Sequence, residues 1–275
     1  MKLCRFTPHT SHEPRYGLIE GPQVFPLEGS PFDAPDSPDA LSRTRAHPPV
    51  ALSEVQLLAP VTPSKIVCVG RNYRDHAAEL GNPMPDEPLL FLKPPSAVVG
   101  HEGVIELPEV SRRVEHEGEL AVVIGRRCRR LSEGADPLHY VLGYTCINDV
   151  TARDIQRQDV QFTRGKSFDT FCPVGPFVVN GLDPADRLVE TRVNGETRQS
   201  GRTSQMAFPV PYLIRYISHV MTLEPGDLIS TGTPAGVGPL LDGETVEVEV
   251  EGVGTLRNFV RAAGREHEAV PRAWL

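Results

Sequence analysis

The sequence predicts an α+β protein built around a large, mostly antiparallel or mixed sheet. Short apolar segments of strand type dominate the 275 residues, whereas helical patterns are few and do not alternate regularly with the strands. The clearest strand signal is residues 245–250, where apolar and polar side chains alternate without a break. Residues 254–260 follow at hairpin distance and are the expected partner strand.

The first part of the chain predicts a small β-rich domain. Its strand-like segments are residues 3–6, 15–19 and 23–27, arranged as a meander. Residues 29–63 are rich in Pro, Ser, Asp and Ala, apart from a short amphipathic stretch at 52–58, a composition typical of a loosely structured connector. We therefore place the small domain with its connector at residues 1–60 and the main domain at 61–275.

The main domain begins with a buried-type strand at residues 65–70, followed by a helix at 73–80 that Gly81 closes as a C-terminal cap. The later elements that the pattern predicts are strands at 89–92, 120–124, 140–147 and 175–179, a helix around 212–220 and a strand at 228–230. These elements complete the expected sheet-dominated core.

Composition limits the classes of function. A net charge of −8 provides no basic field for nucleic acid. The five cysteines are scattered and contain no Cys-x-x-Cys pair, which is typical of reduced thiols. The sequence shows no signal segment at its start and no apolar run near the roughly 20 residues that a membrane span requires. We expect a cytoplasmic protein without nucleic-acid or membrane partners.

The acidic residues Glu117, Glu119 and Asp149 are the main candidates for a site. Glu117 and Glu119 are two apart on a predicted strand, so their side chains share a face. Burying adjacent carboxylates is costly unless a cation binds them, and a third carboxylate would complete an all-oxygen metal site. The alternative is that Glu115, Glu117 and Glu119 form the solvated face of the strand. Gly118 between them favours close approach of a ligand or another backbone.

His76 and Glu79 are candidates for acid–base chemistry. They are three residues apart on the predicted helix and therefore neighbours on its surface. A carboxylate bonded to one ring nitrogen fixes the tautomer and raises the basicity of the other, as a general base for water requires. An ordinary surface pair is the alternative, because this spacing is common.

Two further segments carry candidate anion-binding groups. Only four residues are lysines, and Lys93 and Lys166 lie in motif-like stretches; an ammonium beside a metal can hold an oxyanion. The glycine-rich run at residues 230–238 can present backbone N–H groups to an anion. A tight turn between strands explains that run equally well.

Several familiar signatures are excluded. The Gly-Lys-Ser run at residues 165–167 is not a P-loop, because Val160 stands at the first glycine position. Gly236 and Gly238 lack the third glycine of a dinucleotide fingerprint. No Gly-x-Ser-x-Gly elbow is present. His116 faces away from the neighbouring glutamates on a strand, which disfavours a mixed histidine–carboxylate iron site.

Taken together, the motifs resemble the fumarylacetoacetate hydrolase family. They appear in the order Gly-Arg-Asn-Tyr-x-x-His-x-x-Glu, Glu-Gly-Glu-Leu, Asn-Asp-Val-Thr-Ala-Arg-Asp, Gly-Lys-Ser-Phe-Asp, Met-Thr-Leu-Glu-Pro-Gly-Asp and Thr-Gly-Thr-Pro-Ala-Gly-Val-Gly. The resemblance covers about residues 64 to 260. It implies the family's mixed β-roll with few flanking helices, assembled as a homodimer.

The resemblance also implies roles for individual residues. The implied metal ligands are Glu117, Glu119 and Asp149, which would bind Mg²⁺ or Mn²⁺, with Ca²⁺ as a substitute in crystals. The implied catalytic residues are His76 and Glu79, which activate water, and Lys166, which stabilises an oxyanion. The implied substrate-binding residues are Arg153, Gln156, Thr233 and Thr170.

From this resemblance we expect a metal-dependent hydrolase that cleaves a C–C bond in small 2,4-dioxo acids, such as an acylpyruvate or a fumarylacetoacetate-like acid. The alternative keeps the site and changes the reaction. It is isomerisation or decarboxylation of 2-hydroxyhepta-2,4-diene-1,7-dioate in aromatic catabolism, or decarboxylation or tautomerisation of oxaloacetate. A third hypothesis is a non-catalytic binding protein, which the presence of His76, Glu79 and Lys166 disfavours.

Overall fold

The computed structural model describes residues 1–9, 11, 13–32 and 48–264. The strands are β1 Lys2–Pro8, β2 Arg15–Glu20, β3 Gln23–Pro26, β4 Val50–Ala51, β5 Val55–Leu58, β6 Ile66–Gly70, β7 Leu89–Lys93, β8 Val98–Val99, β9 Val104–Leu107, β10 Val114–His116, β11 Gly118–Ile124, β12 Val141–Asn148, β13 Thr151–Ala152, β14 Cys172–Val179, β15 Leu188–Val193, β16 Glu196–Arg202, β17 Leu228–Ser230, β18 Gly238–Pro239, β19 Thr245–Val250 and β20 Gly254–Ala262. The α-helices of this part of the chain are α1 Arg74–Glu79, α2 Arg153–Gln158, α3 Thr163–Lys166 and α4 Val210–Val220.

The strands form three sheets. The largest has 12 strands and follows the order β4-β3-β2-β1-β14-β12-β11-β17-β6-β7, with β5 paired to β1 and β8 paired to β14. A five-stranded sheet has the order β16-β15-β19-β20-β9, and a three-stranded sheet has the order β13-β10-β18. Most pairs are antiparallel, whereas β17–β6, β14–β8 and β20–β9 are parallel. The predicted α+β fold with a mixed sheet core and few helices is confirmed.

The main core lies between the large sheet, the five-stranded sheet and α4. Strand β11 contributes a continuous buried run because both of its faces are covered. The apolar face of α4, with Leu213, Ile214 and Ile217, belongs to the same cluster as Leu120 of β11 and Val248 of β19. This packing fixes β11 and its carboxylates in the middle of the molecule.

The N-terminal segment is part of the large sheet. Strand β1 pairs antiparallel with β14, where Lys2 lies opposite Val179 and Leu3 opposite Val178. The prediction of a loose connector over residues 29–63 is wrong at its end, because β5 forms an antiparallel ladder with β1. The amphipathic pattern there is that of a short strand, and residues 33–47 lie outside the described part of the chain. The division of the chain near residue 60 stays a prediction.

None of the helices in the described ranges has the length and apolar character needed to cross a bilayer.

Gly118 is required by the contact between two sheets. A Cβ atom at this position would lie 2.0 Å from Thr191 Oγ1 and 3.1 Å from a Val248 methyl group, both on the five-stranded sheet. The close approach that the glycine indicated is therefore packing against neighbouring strands. The missing side chain allows the start of β11 to pack closely against the five-stranded sheet, and the glutamates on either side of Gly118 are buried there.

We expect Gly118→Ala to destabilise the fold by about 1–3 kcal/mol, because the added methyl group overpacks a closed interface. Gly134→Ala is the matched control, since a Cβ atom there meets nothing within 4 Å. Thermal unfolding of both variants measures the difference. Equal melting temperatures for the two variants would contradict this account of Gly118.

Candidate active site

The three predicted metal ligands come together in the core. Glu117 lies between β10 and β11, Glu119 lies on β11, and Asp149 follows β12. The antiparallel register places Gly118 opposite Asn148, and the Asp149 N–H donates to the Glu117 carbonyl at 2.8 Å. One carboxylate oxygen from each residue lies within 4.8 Å of the others. The strand pairing therefore brings Asp149 next to Glu117 and Glu119, which precede it by about 30 residues in the sequence.

The alternative of a solvated strand face does not hold. Glu115, Glu117 and Glu119 are only 2%, 4% and 2% exposed. A buried carboxylate requires a compensating partner. Arg153 bonds to both Glu115 and Glu117, and Glu119 accepts hydrogen bonds from Ser230 and Gly232. Glu115 bonds to Arg153 and Arg113, away from the cluster that holds the other two.

Three buried cations surround the acidic cluster. Lys166 Nζ donates to Glu117 Oε2 at 2.7 Å and to Asp149 Oδ2 at 2.6 Å. Lys93 Nζ donates to Asp149 Oδ1 at 2.5 Å, and Arg153 bonds to the other oxygen of Glu117. Both lysines are 2% exposed or less. Glu117 and Asp149 are thus compensated on both of their oxygens.

The pKa values of the two glutamates are shifted in opposite directions. Burial opposes ionisation of Glu117, but Lys166 and Arg153 outweigh it and hold the pKa of this carboxyl far below its usual range. Burial, with the Asp149 carboxylate beside it, raises the pKa of Glu119 well above its usual range. Glu119 forms no ion pair within the described residues. Of the three carboxylates in the cluster, only Glu119 has no cation bonded to it in the described residues, so nothing there offsets the charge of its ionised form.

The residues present fit a divalent cation. The donor set is all oxygen and anionic, as Mg²⁺, Mn²⁺ and Ca²⁺ prefer. Glu119 Oε2 accepts hydrogen bonds from Ser230 Oγ at 2.5 Å and from the Gly232 N–H at 2.7 Å. In the part of the chain that the structure describes, no hydrogen bond reaches its second oxygen. Glu119 therefore keeps one carboxylate oxygen that a divalent cation could bind together with Glu117 and Asp149.

His76 and Glu79 form a supported pair beside the cluster. His76 Nδ1 lies 3.3 Å from Glu79 Oε2, and the Gly236 N–H donates to the Glu79 carboxylate at 3.1 and 3.2 Å. His76 is 5% exposed, whereas Glu79 is exposed, so the pair joins a buried ring to a carboxylate at the surface. The contact at Nδ1 leaves Nε2 as the ring nitrogen that can exchange a proton.

One cavity connects these groups. It has a volume of about 230 Å³ and lies between the acidic cluster, α1 and α2. The predicted site residues that line it are His76, Glu117, Glu119, Asp149, Arg153, Gln156, Lys166 and Thr233. Glu79 is not among the lining residues, but it contacts His76 at Nδ1. The structure therefore brings together nearly all of the candidates from the sequence.

Comparison with known proteins decides the family. A family model described as "Fumarylacetoacetate (FAA) hydrolase C-terminal" matches residues 65–261, and one described as "Rv2993c-like, N-terminal" matches residues 1–60. The chain belongs to the fumarylacetoacetate hydrolase family. It is accordingly an enzyme of a family whose members include isomerases, tautomerases and hydrolases.

Three relatives show the range of named activities in the family. Oxaloacetate tautomerase YisK of Bacillus subtilis is 48% identical over 225 residues, which are 76% of this chain and 74% of that protein. The structure of a 5-carboxymethyl-2-hydroxymuconate delta-isomerase from Mycobacterium smegmatis is 42% identical, with a TM-score of 0.85 over 95% of this chain and 100% of that one. A fumarylacetoacetate hydrolase from Exiguobacterium antarcticum is 40% identical, with a TM-score of 0.82 over 95% and 99%.

Thr170 is the candidate that the structure places elsewhere. It is not among the residues that line the cavity. Its hydroxyl accepts a hydrogen bond from the Glu106 N–H at 2.8 Å, and its backbone has a φ of 68°. The turn after α3 therefore directs this side chain toward β9, so the expectation that Thr170 contacts substrate is not supported.

Thr233 lines the cavity but its hydroxyl has structural partners. It donates to the Gly118 carbonyl at 2.8 Å and accepts from Gln199 Nε2 at 2.7 Å. The same glycine-rich run supplies the Gly232 N–H to Glu119 and the Gly236 N–H to Glu79. The run thus holds both the acidic cluster and the His76–Glu79 pair in place, beyond making a tight turn.

Lys93 is a site residue that the sequence singled out only by the scarcity of lysine, without a role at the site. Its ammonium holds Asp149 and also donates to the Val150 carbonyl at 3.0 Å. The scarcity of lysine in this arginine-rich chain was a usable signal, because two of its four lysines are buried at one site. The contact itself could not be predicted, because Lys93 and Asp149 are 56 residues apart in the sequence.

Proposed function

We propose that this protein is a divalent-cation-dependent enzyme that moves a proton on a small 2-oxo acid, as a keto–enol tautomerase or a double-bond isomerase. The observation that carries the proposal is that the acidic cluster and the His76–Glu79 pair line the same cavity. A cavity of about 230 Å³ suits a substrate of a few carbon atoms. The relation to a protein named oxaloacetate tautomerase supports this choice.

The residues divide the work in the proposed reaction. Glu117, Glu119 and Asp149 would hold Mg²⁺ or Mn²⁺, which when bound supplies a Lewis acid toward the carboxylate and 2-oxo groups of the substrate. His76 takes a proton from C3 of the acid, and Glu79 keeps its ring oriented. Lys166 supplies positive charge beside the oxygen that becomes negative. The proton is then delivered to the 2-oxo oxygen, which gives the enol. In the reverse direction the hydroxyl group of the enol or dienol loses its proton and carbon gains one, at C3 to give the keto acid or at C5 to give the isomer.

Hydrolysis of a C–C bond is the second candidate. The His76–Glu79 pair favours it, because a histidine oriented by a carboxylate can also remove a proton from water. The similarity to a structure named fumarylacetoacetate hydrolase gives it further support. The choice of metal, the homodimer and the cytoplasmic location stay predictions.

A substrate panel tests the proposal. The purified protein with Mg²⁺ or Mn²⁺ is mixed with enol-form oxaloacetate, an acylpyruvate, fumarylacetoacetate and a 2-hydroxy-dienedioate. We expect accelerated loss of enol absorbance with oxaloacetate, or a shifted double bond in the dienedioate, without C–C cleavage. Nuclear magnetic resonance identifies the products, and a chelator should stop the reaction.

The other outcomes are equally clear. Two fragments from an acylpyruvate or fumarylacetoacetate, formed only with the metal, would replace the proposal by the hydrolase. Absence of turnover across the panel, with the metal bound, would support the non-catalytic binding protein.

A further inference from the structure

Two arginines that line the cavity have no role in the chemistry described above. Arg71 follows β6 at the start of the turn into α1, and Arg157 lies on α2. Neither side chain forms a hydrogen bond or an ion pair with another residue in the ranges that the structure describes. The chain has 36 acidic against 28 basic residues, so arginines without a carboxylate partner beside a cavity require an explanation.

The position of Arg157 follows from helical geometry. It is four residues after Arg153 and therefore on the same face of α2, about 6 Å further along the helix axis. Arg153 is buried and bonded to Glu117, whereas Arg157 is exposed. The helix thus presents one arginine to the acidic cluster and a second one toward the cavity mouth.

The carboxylates nearest to Arg157 in sequence are already engaged. Asp159 binds the Arg164 guanidinium at 2.6 and 2.8 Å. Asp154 accepts from Ser111 Oγ at 2.7 Å and from the Arg112 N–H at 2.8 Å. The positive charge of Arg157 is therefore available to a ligand.

Arg71 reaches the cavity through an unusual backbone. Its φ of 56° lies in the left-handed region, which residues other than glycine rarely adopt. Such backbone conformations are found disproportionately at ligand-binding sites. The side chain is half-buried, so it is more accessible than the acidic cluster and less accessible than Arg157, and it lines the same cavity.

The charges within the cavity show what these arginines would bind. Lys166, Arg153 and Lys93 are bonded to Glu117 and Asp149, so their charges lie at the acidic cluster, where the first carboxylate and the 2-oxo group would bind. A 2-oxo acid places its first carboxylate at the metal cluster. A carboxylate at the other end of the molecule would need separate cations nearer to the mouth.

We propose that Arg71 and Arg157 form a second anion-binding subsite that selects 2-oxo acids with a distal carboxylate. The substrate class is then a short dicarboxylate, in preference to an acylpyruvate whose distal end is an uncharged acyl group. This inference rests on the proposed function for the placement of the first carboxylate. Guanidinium groups suit the task because they bind carboxylates through paired N–H donors.

Binding of two inert ligands tests the subsite without requiring turnover. L-Malate and 2-hydroxybutanoate both offer a carboxylate and a neighbouring oxygen to the metal, and they differ in whether the distal group is a carboxylate or a methyl. Calorimetry with Mg²⁺ should show malate binding to the unmodified protein about tenfold more tightly, the effect of one charge-assisted contact. Arg157→Gln and Arg71→Gln should each reduce this preference and leave the affinity for 2-hydroxybutanoate unchanged.

Two further variants separate charge from structure. Arg157→Lys should keep part of the preference, because it retains the positive charge. Arg127→Gln removes an exposed guanidinium that pairs with Glu224, away from the cavity, and should change nothing. Equal loss of affinity for both ligands in Arg157→Gln and Arg71→Gln, or a preference that neither variant alters, would overturn the proposal.

The same measurements distinguish this inference from the proposed function. A malate preference that depends on the arginines, in a protein that converts no 2-oxo acid, would keep the subsite and reject the proposed reaction. Turnover of 2-oxo acids without any preference for the dicarboxylate would keep the proposed reaction and reject the subsite.

Discussion

Glu119→Gln should strongly weaken binding of the divalent cation and, with it, lower turnover. The amide keeps the shape of the side chain and can still accept from Ser230 and Gly232, but it removes one of three anionic ligands. We expect the affinity for Mn²⁺ to fall by about a hundredfold or more. Turnover should fall by about a thousandfold, since the Lewis acid accounts for several kcal/mol of transition-state stabilisation. Calorimetric titration with Mn²⁺ and the oxaloacetate assay measure the two effects.

The same substitution should not harm the metal-free fold. Burial and the Asp149 carboxylate raise the pKa of Glu119, which means that the ionised form is disfavoured inside the folded protein. Replacing it with a neutral amide should leave the melting temperature in chelator unchanged or higher. Glu133→Gln, an exposed site without hydrogen-bond partners in the described residues, is the control for charge removal. Retained Mn²⁺ affinity in Glu119→Gln would remove this residue from the metal site.

The sequence predicted the acidic cluster because strand periodicity is a local property. Glu117 and Glu119 are two residues apart in a predicted strand, and such side chains share a face whatever the rest of the chain does. Burial of that face was less certain, since alternation alone fits a solvated strand equally well. The decisive contact is Gly118 against Thr191 and Val248, which depends on the packing of two sheets and is not encoded within β11.

The pairing of charges could not be predicted in the same way. Glu115, Glu117 and Glu119 look equivalent in sequence, yet their partners differ. Glu115 pairs with Arg113 and Arg153, Glu117 pairs with Arg153 and Lys166, and Glu119 has no ion pair in the described residues. That division depends on where α2 lies over β10, a tertiary feature. Lys93 was given no role at the site for the same reason, because its contact with Asp149 joins strands that are far apart along the chain.

The failed expectations also have a physical cause in long-range contacts. Residues 55–58 were assigned to a loose connector, and they form β5 only because β1 offers a free edge. The family resemblance implied that Thr170 contacts the substrate. A backbone turn with positive φ at Thr170 points it to β9 instead. Spacing predicts orientation within one regular element and loses its value across a turn.

His76→Ala should lower the rate of the proposed proton transfer by about a hundredfold to ten-thousandfold, which is the usual contribution of a general base. The reason is that His76 is the titratable group on α1 that lines the cavity opposite the acidic cluster. Exchange of the C3 hydrogen of oxaloacetate for deuterium, followed by nuclear magnetic resonance, reports the step directly. Mn²⁺ binding should stay intact, because His76 is not among the residues of the acidic cluster.

Glu79→Gln is expected to have a smaller effect than His76→Ala and tests the same pair. The amide can still accept the hydrogen bond from Gly236, but it no longer stabilises a charged imidazole ring. The loss should therefore be smaller than for His76→Ala, and the dependence of the rate on pH should shift with it. Decarboxylation needs no base, so CO₂ release that survives His76→Ala but not Glu119→Gln would identify decarboxylation as the main reaction. Unchanged deuterium exchange in His76→Ala would transfer the role of base to another group in the cavity and reject the pair as the proton carrier.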